Sequence, residues 1–177
     1  MSDIAALQGP ASFAARAADR LTWLVDRVCV VLLILLILDV WVGVIVRYVW
    51  PLPITFTEEL ARYLMIWLAL LAVSACIGRR EHIGVQFIFA TLPVPAARVL
   101  LAIIDVLGII FFLFLLFYGV GMVERGARTF TMIYGISKGV PFAAVPVAAA
   151  LAAIQLAFVA VRDQARLRQD ADGMIFP

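Results

Sequence analysis

Three charged side chains, Glu58, Glu59 and Arg62, stand at the head of the apolar stretch FTEELARYLMIW. Thr55 followed by Glu58 has the spacing of a helix capping box, in which the hydroxyl and the carboxylate bind amides that a helix start leaves unpaired. Carboxylates in a first turn also face the positive end of the helix dipole, and Glu58 and Arg62 have the spacing of a helical ion pair. These residues therefore predict the start of a helix.

Arg47 ends the preceding apolar run, on the same side of the membrane as the two glutamates. Its depth should be similar to theirs, so we predict that Arg47 pairs with Glu58 or Glu59. The alternative is an arginine that reaches interfacial water and contributes little to stability.

Asp39 falls about 10 Å below the outer end of its predicted helix, where a carboxylate is costly and should face protein. Counting the same depth along the next helix from Leu60 reaches Trp67, whose indole N–H is a hydrogen-bond donor. We predict a hydrogen bond between Asp39 and Trp67.

Asp105 and Gln155 share a depth of about 10 Å from the cytoplasmic end of their helices, by helical rise. A hydrogen bond between them would hold two neighbouring helices together. Asp39 and Asp105 lie at different depths, which argues against a carboxylate pair that shares a proton. Both structural and functional roles remain open for these two aspartates.

The elements that carry these residues are set by composition. The chain has 177 residues, 66% of them hydrophobic, and a mean hydropathy of +1.10, more apolar surface than a soluble core of this size can bury. Four runs, 28–46, 60–78, 99–121 and 140–161, are long enough to cross about 30 Å of hydrocarbon. The fold class predicted is an all-α integral membrane protein, with a four-helix membrane domain over 28–161.

Two shorter helices are expected at the membrane surface. Residues 1–27 repeat apolar side chains at helical spacing and predict a cytoplasmic segment with an amphipathic helix in contact with lipid. The stretch between Arg80 and Leu92 predicts a short cytoplasmic interfacial helix, with a polar coil as the alternative. Residues 162–177 would form a cytoplasmic tail.

Lysine and arginine set the orientation. The N-terminal segment, the loop between the second and third spans, and the C-terminal tail hold three each, against five in total on the other side. The positive-inside rule then places both termini in the cytoplasm. The carboxylates at the start of the second span face outward.

The fourth span carries small residues every four positions, a spacing that lets helices approach closely. One stripe can serve contacts within the chain, whereas two stripes suggest a partner helix; a smooth face toward lipid is the alternative. The stripes are Ala144, Ala148 and Ala152, and Ala149, Ala153 and Ala157.

Several kinds of chemistry are excluded or unsupported. His82 is the single histidine, so a bis-histidine haem is excluded, and the chain gathers no set of zinc ligands. Phosphate loops and serine triads are absent, and the net charge of +2 gives no nucleic-acid surface. We therefore expect a four-span membrane protein without a cofactor that works as part of a complex.

The stretch FTEELARYLMIWLALLAVSACIGRREHIGV, preceded by VIVRYVWPLP, resembles the small membrane subunit of tripartite ATP-independent periplasmic (TRAP) transporters, the DctQ-like family. Ala72 and Gln86 depart from that family's pattern, without touching the EELAR core. The matching positions are Arg47, Glu58, Glu59, Leu60, Ala61, Arg62, Trp67, His82, Ile83 and Val85.

This resemblance implies a non-catalytic subunit of the bacterial inner membrane. It would bind a large multi-span permease and act with a periplasmic substrate-binding protein in the uptake of an organic acid, driven by an ion gradient. On this view Arg47, Glu58, Glu59 and Arg62 brace the first two helices or help to receive the binding protein. The alternatives are a small homo-oligomeric channel or regulator, and a small membrane enzyme or electron carrier.

Overall fold

The computed structural model describes residues 10–49, 56–79, 93–131, 135 and 137–173. Four stretches in this part of the chain are long and apolar enough to cross a membrane, which confirms the predicted all-α membrane architecture. The helices are α1 (Pro10–Tyr48), α2 (Phe56–Arg79), α3 (Val94–Ala127), α4 (Gly139–Phe142) and α5 (Ala144–Gly173).

The first helix is much longer than its predicted span. α1 has 39 residues, which correspond to about 58 Å at a rise of roughly 1.5 Å per residue. The hydrocarbon core of a bilayer is about 30 Å thick. The described N-terminal segment is therefore helical, as expected, but it continues into the first span without a break.

The N-terminal part of α1 packs against the chain's own helices through small residues. Ala14, Ala15 and Ala18 are buried, whereas Arg16 and Arg20 are exposed. The apolar side chains of this segment do not share one face, as an amphipathic helix would require. Leu21 packs against the core cluster around Val25, while others stay exposed. The exposed members are Phe13, Leu24 and Val28.

The fourth span is interrupted after its first turn. Helix α4 ends at Phe142, and α5 begins at Ala144 after a turn at Ala143. Pro146 has no N–H to donate to the carbonyl of Phe142, four residues earlier, so the regular hydrogen-bond ladder cannot continue there. The backbone still runs onward, since the N–H of Val147 donates to the carbonyl of Ala143 at 3.2 Å.

Helix α5 is the central element of the bundle. It contacts α1, α2 and α3, whereas α1 packs chiefly on α2 and α3 chiefly on α5. Ala148 lies in a buried cluster with Val25, Leu71 and Ala75. One turn further, Ala152 and Leu156 pack with Ile77 of α2, against Ile109 and Phe112 of α3.

Candidate functional site

A cavity of about 500 Å³ opens between the outer parts of α1 and α2. A Cβ placed on Gly43 would lie 3.2 Å from Oγ1 of Thr57, so glycine allows α1 to approach the start of α2 closely. The polar residues that line the cavity are Asp39, Arg47, Thr57 and Glu58, together with Tyr48.

Asp39 is the buried residue of this cavity wall. Its exposed fraction is 8%, and its Oδ2 atom accepts no hydrogen bond. Every other residue from 30 to 48 is exposed or half-buried. An aspartate in the middle of a membrane helix costs about 3 kcal/mol on insertion scales, so this carboxylate stands out chemically from the apolar helix around it.

The predicted hydrogen bond between Asp39 and Trp67 is wrong. Gly43 of α1 faces Thr57 of α2. Asp39 precedes Gly43 by four residues and Ala61 follows Thr57 by four, and both line the same cavity. Trp67 follows Ala61 by six residues, which places it about 9 Å deeper. There its ring packs against the core cluster that contains Leu71. The error came from counting depth from Leu60, because α2 begins at Phe56.

Arg47 and Glu58 come together in the cavity without forming an ion pair. Both side chains are exposed, and among the described residues no ion pair within 4 Å joins Arg47 to Glu58 or Glu59. The helical pair expected between Glu58 and Arg62 is not formed either. Water at the helix ends solvates exposed charges, so the gain from such pairs is small.

Glu59 takes a different position from its neighbour Glu58. It is 8% exposed and accepts a hydrogen bond from the Tyr63 hydroxyl one turn along α2. Its other oxygen, Oε2, is buried and accepts no hydrogen bond. Glu59 is thus a buried carboxylate held by its own helix, rather than a surface charge.

A second polar cluster lies where α1, α2 and α5 meet. Nε2 of Gln155 donates to the carbonyl of Ala18 at 3.0 Å and to Oγ1 of Thr22 at 2.6 Å. Gly78 of α2 lies directly against both side chains, well inside the distance at which a Cβ would fit. Near this cluster Arg79 of α2 forms an ion pair with Asp26 of α1.

The predicted hydrogen bond between Asp105 and Gln155 is also wrong. Both residues are buried, at 3% and 0% exposure, but the amide group of Gln155 donates only to α1. The face of α5 that carries Gln155 is turned toward α1 and Gly78 of α2. Equal depth was therefore a poor guide to contact.

The alanine stripes of α5 serve the chain's own core, which corrects the expectation that one of them receives a partner helix. Both stripes are needed inside the chain, because α5 is surrounded by three other helices. Ala157 alone is exposed. The buried members are Ala144, Ala148, Ala149, Ala152 and Ala153.

Thr55, His82 and the predicted interfacial helix between Arg80 and Leu92 lie outside the described residues. Within the described ranges, no three residues of the types His, Cys, Asp or Glu come close enough to hold a metal ion.

Sequence reasoning missed two of these polar contacts. The bond from Tyr63 to Glu59 had a visible signal, since the two residues are four apart on one helix. The junction of Thr22, Gly78 and Gln155 had only a weak one, a glycine next to the last residue of α2.

Comparison with known proteins decides the family. The sequence profile of the family described as tripartite ATP-independent periplasmic transporters, DctQ component, matches residues 36–166. The chain belongs to the DctQ family. This confirms the resemblance seen in the EELAR stretch, and it makes the DctQ chain a multi-pass component of a transporter rather than an enzyme.

Three relatives show how DctQ sequences occur. A protein described as a TRAP transporter small permease in Haemophilus influenzae is 28% identical over 127 residues, which cover 71% of this DctQ chain and 78% of that protein. The sialic acid TRAP transporter permease protein SiaT of H. influenzae strain 86-028NP is 25% identical over 105 residues, 59% of this chain and 17% of SiaT. The isethionate TRAP transporter permease protein DctMQ of Oleidesulfovibrio alaskensis is 43% identical over 51 residues, 29% of this chain and 8% of DctMQ.

Proposed function

We propose that this chain is the non-catalytic small subunit that scaffolds a large TRAP permease during uptake of an organic acid, driven by an ion gradient. The acid would reach the permease from a periplasmic binding protein. The observation that carries this proposal is the DctQ match over residues 36–166, which extends from the first span to the end of the fourth.

The relatives support a large permease as the partner. In SiaT and DctMQ the matched region is a small part of a long permease protein, at 17% and 8% of their lengths. In the H. influenzae small permease, the matched region is most of the protein. The same segment thus occurs joined to a permease and as a small protein, which favours a physical complex of the two.

The surface of the chain supports a scaffolding role. Helices α1 and α3 expose long apolar faces, and both are suited to lipid or to another membrane protein. Among the described residues, no three His, Cys, Asp or Glu side chains gather in one place. Substrate and coupling ion would accordingly be held by the permease.

Orientation and location follow from the charge distribution. We propose the bacterial inner membrane, with both termini in the cytoplasm, because the three segments on that side hold nine of the 14 lysines and arginines. Sialic acid and isethionate, named for two relatives, are both organic acids, and this favours a substrate of that class.

An affinity capture tests this function. The chain would carry a C-terminal tag, be extracted from its native membrane in mild detergent, and be captured together with whatever binds it; an untagged strain is the control. Mass spectrometry should identify a large permease at about one copy per chain, the ratio expected for a specific binary complex. Recovery of the 19.4 kDa chain alone, as a monomer or a homo-oligomer, would reject the scaffold and favour the channel or regulator.

A further inference from the structure

The cavity between α1 and α2 contains more negative than positive charge. Two carboxylates, Asp39 and Glu58, line it, against one guanidinium group, that of Arg47. Asp39 is 8% exposed and its Oδ2 atom accepts no hydrogen bond. A buried carboxylate in a membrane helix requires a positive or hydrogen-bonding partner, and one positive charge would balance this cavity.

Arg47 does not supply that charge to Asp39. It lies eight residues further along α1, which is about 12 Å by helical rise. Its side chain is exposed, and among the described residues no ion pair within 4 Å connects it to Asp39. Thr57, the buried residue opposite Gly43, is uncharged. The chain's described residues therefore leave the carboxylate of Asp39 without a counter-charge.

Beside the cavity, α1 presents exposed apolar side chains close to Asp39 in sequence. Val40 is 50% exposed, Trp41 63% and Val44 47%. The single buried residue between positions 30 and 48 is thus an aspartate in the open cavity between α1 and α2, beside an exposed apolar face of α1. A membrane helix that covered this face would bury the apolar side chains and could direct one polar side chain to the carboxylate.

We infer that the large permease places a helix on this face and inserts a lysine or arginine side chain into the cavity, where it pairs with Asp39. The inference rests on the proposed function, which supplies the permease as partner. Charge complementarity selects the inserted side chain, and the cavity volume of about 500 Å³ leaves room for it. The continuous chains of SiaT and DctMQ show that a DctQ-like segment can be covalently tied to a permease.

Site-specific photo-crosslinking tests the position of the contact. A benzophenone amino acid replaces Val44 at the cavity, or Leu107 on α3 as a control that is also exposed, at 60%. After illumination of whole cells, the tagged chain is purified and crosslinked permease peptides are identified. We expect crosslinks from position 44 to a permease helix that contains lysine or arginine, and at least about tenfold fewer to that helix from position 107, as a localised interface requires.

Substitution of Asp39 tests the charge. Removing one member of a buried charge pair strongly weakens an interface, so Asp39→Ala should lower permease recovery roughly tenfold or more, with Asp39→Asn in between. Leu107→Ala, on the exposed face of α3 and away from the cavity, is the control and should retain normal recovery. Exchanging charges, with Asp39→Lys and an aspartate at the crosslinked basic residue of the permease, should restore capture.

The isolated chain separates this role from an internal one. In the purified chain without permease, Asp39→Asn should leave the melting temperature unchanged or raise it, because it removes a buried charge that no cation of the described residues balances. A lowered melting temperature together with normal permease recovery would show an internal role for Asp39 and overturn the inference. Capture of permease by the wild-type chain without crosslinks from position 44 would overturn it while the scaffold function stands. Failure of the wild-type chain to capture permease would overturn both.

Discussion

Gly78 of α2 faces Thr22 of α1 so closely that no Cβ fits between them, and the amide of Gln155 from α5 occupies the same point. Three helices meet at a residue without a side chain. Close approach of backbones and hydrogen bonds between helices both stabilise the association of membrane helices, and both operate here.

Gly78→Ala should therefore disrupt the bundle. The added methyl group would displace the Gln155 amide from Oγ1 of Thr22, and overpacking of this kind costs about 1–3 kcal/mol. We expect a clearly lower melting temperature in detergent, measured by tryptophan fluorescence. Gly121→Ala is the matched control, since a Cβ there meets nothing within 4 Å. Equal melting temperatures for the two variants would contradict the junction.

Gln155→Leu should also destabilise the chain, by removing the hydrogen bonds to Ala18 and Thr22. Hydrogen bonds between membrane helices are worth about 0.6–2 kcal/mol. The same melting measurement applies, with Ile154→Ala as the control because Ile154 is 48% exposed. The losses of stability from Asp105→Asn and Gln155→Leu should add in the double variant, since no hydrogen bond connects the two residues. A strongly non-additive loss would instead support the hydrogen bond predicted from the sequence.

Tyr63→Phe should lower the stability of the outer end of α2. It removes the hydroxyl that donates to Glu59, whose other oxygen already accepts no hydrogen bond. Leaving a buried carboxylate unsatisfied costs about 1–3 kcal/mol. Tyr118→Phe is the control, because Tyr118 is 57% exposed. If both variants have the melting temperature of the wild type, the hydroxyl of Tyr63 makes no stabilising contact.

Ala152→Leu should prevent normal folding of the isolated chain, since Ala152 is 1% exposed and lies among Ile77, Ile109 and Phe112. Large residues inserted into a tight core cost about 1–3 kcal/mol or more. Ala157→Leu, on the exposed side of the same helix, should fold normally. Size-exclusion chromatography and melting compare the two. Normal folding of Ala152→Leu would mean that the stripe is not part of the internal core.

The four spans could be predicted because length and hydropathy are properties of each helix alone. The contacts between helices could not, because they depend on register and rotation. The predicted hydrogen bond from Trp67 to Asp39 was wrong because α2 begins at Phe56 rather than at Leu60, which shifts the residues of α2 that lie level with Asp39. The sequence predicted the depth of Gln155 in the membrane, but nothing in the periodicity of α5 showed that its side chain faces Thr22.

The alanines of α5 illustrate the same limit. Their spacing correctly indicated close approach between helices, but the pattern is the same for a neighbour in the chain and for a neighbour in another protein. Only the arrangement of α1, α2 and α3 around α5 shows that the chain itself covers both stripes. Glu58 and Glu59 show the same limit within one turn. Adjacent residues on a helix point in different directions, so two neighbouring glutamates differ in exposure.

The central position of α5 has a consequence for biogenesis. It follows α1, α2 and α3 along the chain, so the ribosome releases the shared neighbour of those helices last. Until then Thr22 and the backbone of Ala18 lack the amide of Gln155. Helix α3 likewise lacks its chief packing partner until α5 inserts, so a chaperone or quality-control protease of the membrane would meet the chain before the bundle closes.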